Sequence, residues 1–138
     1  MSTSTTQNPE AAKTGDGKTS ILIVDDSPMA RKMLMKALPG HWQVSVAQAG
    51  NGREALDAYR TGRVDVMFLD LTMPDMDGYQ VLETLQKEDL NCFVIVVSAD
   101  IQPQARERVA RLGAAAFIKK PVNTTELAAV LREYGFVL

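Results

Sequence analysis

Cysteine, histidine and tryptophan are nearly missing from this chain, with one of each in 138 residues. The single cysteine, Cys92, excludes an internal disulfide, and its place at the mouth of an apolar run reads as a small buried hydrophobe in a reducing compartment. The lone histidine, His41, sits in "LPGHW" with no partner at ligand spacing, and it and Trp42 read as loop residues. No apolar run approaches the ~20 residues of a membrane span, and the opening "MSTSTTQNPEAAKTGDGK" lacks the apolar core of a secretion signal. Charge of one sign is also scarce. Fifteen Lys and Arg against seventeen Asp and Glu leave a net charge of −2, which argues against the concentrated basic surface that nucleic-acid phosphates require. The expectation is a cytoplasmic protein that contacts neither nucleic acid nor membrane.

With 46% hydrophobic residues, a chain of this length can close one core and bury roughly 68–70% of its unfolded surface. Residues 1–18, rich in Ser, Thr, Gly and Asn, offer nothing to offset the entropy of ordering and read as a disordered tail. Residues 19–138 read as one domain. Within it, apolar runs at 21–26, 64–70, 93–98 and 115–119 are nearly continuous, as expected for parallel strands covered on both faces. The run at 43–49 alternates instead, which places it at a sheet edge. Helical periodicity fills the gaps between the runs. Ser27 then Pro28 caps a first helix, with Ala30, Met33, Leu34, Ala37 and Leu38 inward and Pro39-Gly40 as its stop. A second helix follows the Asn51-Gly52 turn, and a third carries Val81, Leu82 and Leu85. The fourth spans about 102–112, with Ala105, Val109 and Leu112 inward and Gly113 as its cap, while Asn123 and Glu126 open a fifth. Five strands alternating with five helices predict an α/β, doubly wound, flavodoxin-like parallel sheet of order 2-1-3-4-5.

Ligands of such sheets collect at the carboxyl ends of the strands, where strand order reverses. Those ends are Asp25 and Asp26, then Asp70, Ser98 and Lys120. Crowded carboxylates repel by on the order of 4 kcal/mol per pair at 4 Å and an effective dielectric near 20. A hard divalent cation such as Mg²⁺ offsets that repulsion and bridges to phosphoryl oxygens. Asp70, already ionised at neutral pH, is then a nucleophile that needs no general base. Lys120 supplies a positive point charge and Ser98 a hydroxyl donor around a phosphoryl group.

Five signatures together resemble the receiver domain of two-component response regulators, of the single-domain chemotaxis type: the acidic pair of "ILIVDDS", the stretch "FLDLTMPDMDG", the serine of "IVVSA", the aromatic of "AAFIKKP" and its closing Lys-Pro. The resemblance covers residues from about 20 to 138. It implies that Asp70 accepts the phosphoryl group and that Asp26, Asp70 and the backbone carbonyl of Thr72 ligate Mg²⁺, with Asp25 acting through a metal-bound water. Lys120 would pair with the phosphoryl, and Ser98 would hydrogen-bond it and move on activation. Phe117 matches the family's switch aromatic, whose inward turn remodels the face made by the fourth helix, fifth strand and fifth helix. Thr72 and Asp100 match positions that tune hydrolysis of the acyl phosphate. The Lys120-Pro121 bond is expected to be cis. A sensor histidine kinase or phosphotransfer protein would be the donor, an output protein or fused domain the recipient of the signal, and the switch face a candidate for weak self-association.

Plainer readings attach to other residues. The methionines Met29, Met33, Met35, Met67, Met73 and Met76 follow helix and strand burial patterns and read as core or rim packing. Arg106, Arg108 and Arg111 read as a solvated helix face. Among rival functions, a haloacid-dehalogenase-like phosphohydrolase uses the same residue types. It places its nucleophile on the first strand, however, and a general acid two residues on, where this chain has Thr72 after Asp70.

Overall fold

A computed structural model describes residues 18–99 and 102–138. The tail expected over residues 1–18 therefore lies, except for Lys18, outside the described residues, as does Asp100. Five strands, β1 (Thr19–Val24), β2 (Val44–Ala49), β3 (Val66–Leu69), β4 (Phe93–Ser98) and β5 (Ala116–Lys119), alternate with five helices. These are α1 (Pro28–Ala37), α2 (Gly52–Thr61), α3 (Gly78–Lys87), α4 (Pro103–Arg111) and α5 (Thr124–Glu133). All four strand pairings are parallel, and the order is β2-β1-β3-β4-β5, as the sequence predicts. The strands are shorter than the apolar runs suggest, because the carboxylates at 25, 26 and 70 lie just past the last paired residues, Val24 and Leu69.

The period of two along each strand sorts its side chains between two cores. Leu22, Val24, Met67, Leu69, Val94 and Val96 face one way, against Leu56 of α2, Val81, Leu82 and Leu85 of α3, and Val109 of α4. Their neighbours Ile21, Ile23, Val66, Phe68, Ile95 and Val97 face the other way, against Leu34 of α1 and Leu127 and Leu131 of α5. Covering both faces is what makes these runs continuously apolar. The edge strand β2 has only Val44 and Val46 half-buried before Ala49 closes it, which explains its alternation.

The caps follow local chemistry. The Ser27 hydroxyl accepts the Ala30 amide at the start of α1, and Leu38, which precedes Pro39, turns extended and ends the helix. Asn51 and Asn123 cap α2 and α5 by accepting the Glu54 and Glu126 amides. Gly113 has φ +103°, a backbone that residues with a Cβ avoid, and stops α4 where expected. Among the described residues no helix is long and apolar enough to cross a membrane.

One expectation holds with an addition, and another fails in part. Trp42 lies in a loop, as expected, and is also buried, at 5% exposed. Its ring meets Phe136 edge-on at 5.8 Å between centroids, and Phe136 meets Phe93 at 5.4 Å. The chain end is thereby pinned beneath the amino ends of the strands. The methionines also divide: Met67 and Met73 are buried, whereas Met29, Met33 and Met35 of α1 are 66%, 52% and 39% exposed. In α1 only Leu34 and Ala37 are buried, because a single turn-spaced pair is enough to fill the narrow contact with the sheet.

Candidate functional site

Parallel strands bring all their carboxyl ends to one rim, so the final residues of β1, β3, β4 and β5 meet whatever their distance in sequence. The carboxylates of Asp25, Asp26 and Asp70 each place an oxygen within 4.8 Å of the others. Asp25 and Asp70 are buried, each 6% exposed, and Asp26 is exposed. The Lys120 ammonium stands between the buried pair, donating to Asp25 Oδ2 at 2.8 Å and to Asp70 Oδ1 at 3.1 Å. Ser98, buried at the end of β4, accepts the Lys120 amide on its carbonyl at 2.9 Å, and the Lys120-Pro121 peptide is cis. Thr72 is exposed just beyond Asp70.

Local backbone chemistry positions each carboxylate. The Asp25 Oδ1 accepts the Ser27 amide at 2.9 Å, so the residue that caps α1 also orients the acid before it. Arg31, one turn into α1, donates from Nη1 to the Asp25 carbonyl at 2.6 Å and from Nε to Gln48 at 2.9 Å. It ties the first acidic turn to β2, a role that no motif in the sequence marks. The two later acids of "FLDLTMPDMDG" are structural. Asp77 caps α3 in a reciprocal capping box with Gln80, and Asp75 takes a left-handed turn at φ +68°. The D-x-x-Q spacing was a readable signal for the cap.

Gly78 packs directly against the backbone of Asp70 and Leu71. A Cβ there would stand 2.5 Å from the Asp70 carbonyl oxygen and 2.8 Å from the Leu71 Cα. Both are backbone atoms, so only glycine lets the loop after β3 fold back and donate from Gly78 N–H to the Leu71 carbonyl at 3.0 Å. Gly78→Ala is expected to cost about 1–3 kcal/mol through overpacking and to move Asp70 out of the cluster. A thermal melt and a Mg²⁺ titration on the same variant would register both effects; a wild-type Mg²⁺ affinity would show that the loop absorbs the methyl elsewhere.

One lysine cannot neutralise three carboxylates. Burial pushes the Asp70 carboxyl above its usual 3.8, the Asp25 charge pushes it further, and Lys120 only partly opposes them. Burial works to lower the Lys120 pKa, but hydrogen bonds and charge from Asp25 and Asp70 outweigh it and hold the ammonium above its usual 10.5. Burial leads for Asp70 and the neighbouring carboxylates together prevail for Lys120, and the surplus negative charge pushes both groups the same way. A cavity of about 300 Å³ is lined by Asp25, Asp70 and Lys120 together with apolar Met33, Leu34, Phe68, Val97 and Val122, so the charged groups stand against an apolar wall. The donor set fits a hard divalent cation: all-oxygen, clustered, partly open to solvent and over-charged without one.

The raised Asp70 pKa fixes the sign of a pH effect. Its charged form is disfavoured in the fold, so in metal-free protein this group's contribution to stability is most favourable when protonated. That contribution declines as pH rises from about 3.8 through the raised value. Protons therefore compete with a cation at higher pH than for an ordinary aspartate. Mg²⁺ affinity is expected to fall as pH drops toward that raised value, and titrations across the acid range would follow it; an affinity constant down to pH 4 would contradict the assignment.

Phe117, on β5, is half-buried against the core formed with α2, α3 and α4, away from direct contact with the carboxylates. The structure thus gathers Asp25, Asp26, Asp70, Ser98 and Lys120 at one rim and leaves Phe117 on the adjoining face. It adds Ser27, Arg31 and Gly78 as supports.

Comparison with known proteins points the same way. The family model described as "Response regulator receiver domain" matches residues 21–132. The chemotaxis protein CheY of Thermotoga maritima is 33% identical over 113 residues, covering 82% of this chain and 94% of that protein. A protein-glutamate methylesterase/protein-glutamine glutaminase of Treponema pallidum is 40% identical over 108 residues, covering 76% of this chain but only 27% of that protein. Among solved structures, the signal receiver domain of the response regulator NarL from Mycobacterium tuberculosis superposes with a TM-score of 0.76 at 33% identity, covering 85% of this chain and 96% of that one.

Proposed function

The chain belongs to the response regulator receiver domain family, and on that premise we propose that it is a phosphorylation-operated switch whose acceptor is Asp70. The single observation that carries this reading is the buried Asp25–Lys120–Asp70 bridge, at 2.8 and 3.1 Å, within a three-carboxylate cluster that it does not neutralise. The donor is a phosphohistidine on a sensor kinase or phosphotransfer protein. An Asp70 carboxylate oxygen attacks phosphorus in line, the P–N bond breaks, and its electron pair returns to the imidazole nitrogen. The product is an acyl phosphate on Asp70 and a neutral histidine.

Lys120 engages Asp70 at Oδ1, so attack is assigned to Oδ2. The ammonium then shifts its hydrogen bond to a phosphoryl oxygen, and the Ser98 hydroxyl donates to another. Asp26, Asp70 and the Thr72 carbonyl would hold Mg²⁺, with Asp25 acting through a bound water, and the ion would supply positive charge to offset the phosphoryl oxygens. Movement of Ser98 toward the phosphoryl opens space for Phe117 to turn inward, which repacks the face of α4, β5 and α5 for an output protein or fused domain, or for weak self-association. Thr72 and Asp100, which match positions that tune hydrolysis of the acyl phosphate in the family, are assigned to setting the lifetime of the adduct. The switch works in the cytoplasm and turns over once per signal rather than as an enzyme.

Incubation with Mg²⁺ and acetyl phosphate is expected to add one phosphoryl group per chain, as a hydroxylamine-sensitive adduct seen by intact-mass measurement. Continuous phosphate release with many turnovers and no adduct would favour a phosphohydrolase instead.

A further inference from the structure

Helix α4 has the weakest conventional anchorage among the helices flanking the proposed switch. Only Ala105 and Val109 of its nine residues are buried, and its N-cap Gln102 makes no side-chain capping bond. Neither a broad apolar stripe nor a capped first turn fixes it in place. Two arginines tie it to its neighbours, alongside the Gln86 side chain of α3, which donates to the Arg111 carbonyl at 3.2 Å. The Arg108 guanidinium stands 4.0 Å from the Tyr79 ring centroid on α3 and 3.9 Å from Glu83. The Arg106 guanidinium stands 4.6 Å from the Phe117 ring centroid on β5. Side chains two positions apart project toward opposite flanks of a helix, at about 200°, so α4 is strapped to α3 on one side and to β5 on the other.

The straps differ in kind. Arg108 has both a ring and a carboxylate to hold it, and its partners belong to a well-packed helix. Arg106 makes no ion pair among the described residues, and its ring belongs to a half-buried phenylalanine beside the fully buried Ile118. A guanidinium over an aromatic face gains from the ring quadrupole and from stacking, and shields that face from water. Phe117 cannot turn inward and keep this contact.

We propose that Arg106 is a latch on the resting arrangement, holding Phe117 outward and α4 against β5 until phosphorylation outweighs it. This inference rests on the reading of Asp70 as acceptor and Phe117 as switch, and goes beyond it by assigning the resting state its restraint. Arg106 acts through Phe117 and touches no reacting atom. A contact made in only one of two arrangements opposes every ligand that favours the other. Its removal should therefore tighten binding of an acyl-phosphate mimic by about two- to fivefold, the equilibrium worth of one exposed cation–π pair. Charge alone predicts the opposite sign, because losing a cation should weaken binding of an anion.

The test is calorimetric titration with beryllofluoride at saturating Mg²⁺. Arg106→Ala is expected to bind about two- to fivefold tighter than wild type, and Arg106→Lys, which keeps charge but loses the planar stack, to fall between. In a Phe117→Ala background, Arg106→Ala should have no effect. Unchanged or weaker binding by Arg106→Ala, or an effect that persists without the Phe117 ring, would overturn the latch while leaving the acceptor assignment intact. Failure of wild type to bind beryllofluoride at all would overturn that assignment, and the latch with it.

Discussion

Asp70→Asn is expected to abolish phosphoryl incorporation outright and, in metal-free protein, to raise thermal stability. The two effects come from the same charges. Asparagine is nearly isosteric with aspartate and fills the same place at the end of β3, but its amide is a poor nucleophile and a weak ligand for a hard cation. Adduct formation should drop from stoichiometric to undetectable. Stability should move the other way, because Asp70 is a buried carboxylate whose pKa is raised by desolvation and by Asp25, with Lys120 compensating only in part. Removing that charge leaves Lys120 paired with Asp25 at 2.8 Å and ends most of the repulsion. Thermal melts with and without Mg²⁺ separate the terms: wild type gains stability from Mg²⁺, whereas Asp70→Asn starts higher and gains little. A variant less stable than metal-free wild type would mean that the bridge to Lys120 outweighs the burial cost, contrary to the charge balance drawn from the site.

Trp42→Ala should be the most damaging core substitution that leaves the chemistry intact. Deleting a buried tryptophan costs about 3–5 kcal/mol, from lost transfer energy and from the cavity left behind. Here the cavity would open against Phe136, whose other ring partner is Phe93. Phe136 is 6% exposed, and its amide donates to the Leu131 carbonyl at 3.1 Å, so loosening it frays the end of α5. The Tyr134 hydroxyl, which donates to the Ala115 carbonyl, limits that fraying. Because these rings lie at the amino ends of parallel strands, opposite the acidic rim, well-folded Trp42→Ala at low temperature should still take one phosphoryl group at the wild-type rate. Urea denaturation followed by circular dichroism gives the stability, and the acetyl phosphate reaction gives the rate; a loss of less than about 1 kcal/mol would place the indole outside the core.

What the sequence disclosed and withheld divides along the same line. Strand runs such as "FVIVVS" could be read directly because burial on both faces makes them continuously apolar, and β2 because an edge leaves one side wet. The rim residues were readable for a topological reason. Once a parallel sheet is inferred, the residue after each apolar run must stand at the same end, which brought Asp25, Asp26, Asp70, Ser98 and Lys120 together without any contact being known. Trp42 and Phe136 follow no local period, since their pairing joins a loop before β2 to the chain end and only the closed fold creates it. Gly78 and Arg31 are harder to read because each acts on a backbone atom, the Asp70 or Asp25 carbonyl, and neither a glycine nor an arginine in sequence says which backbone atom it meets. Met29 and Met33 misled because periodic spacing identifies a helix face without saying how wide a stripe the sheet can cover.

The most direct test of the account is to trap the acyl phosphate by borohydride reduction and map the product. Reduction converts an aspartyl phosphate to homoserine, so peptide sequencing by mass spectrometry should find homoserine at position 70 and nowhere else, in amounts that depend on Mg²⁺. Homoserine at 25 or 26 with residue 70 untouched, or a stable phosphoester on Ser98, would contradict the account at its base.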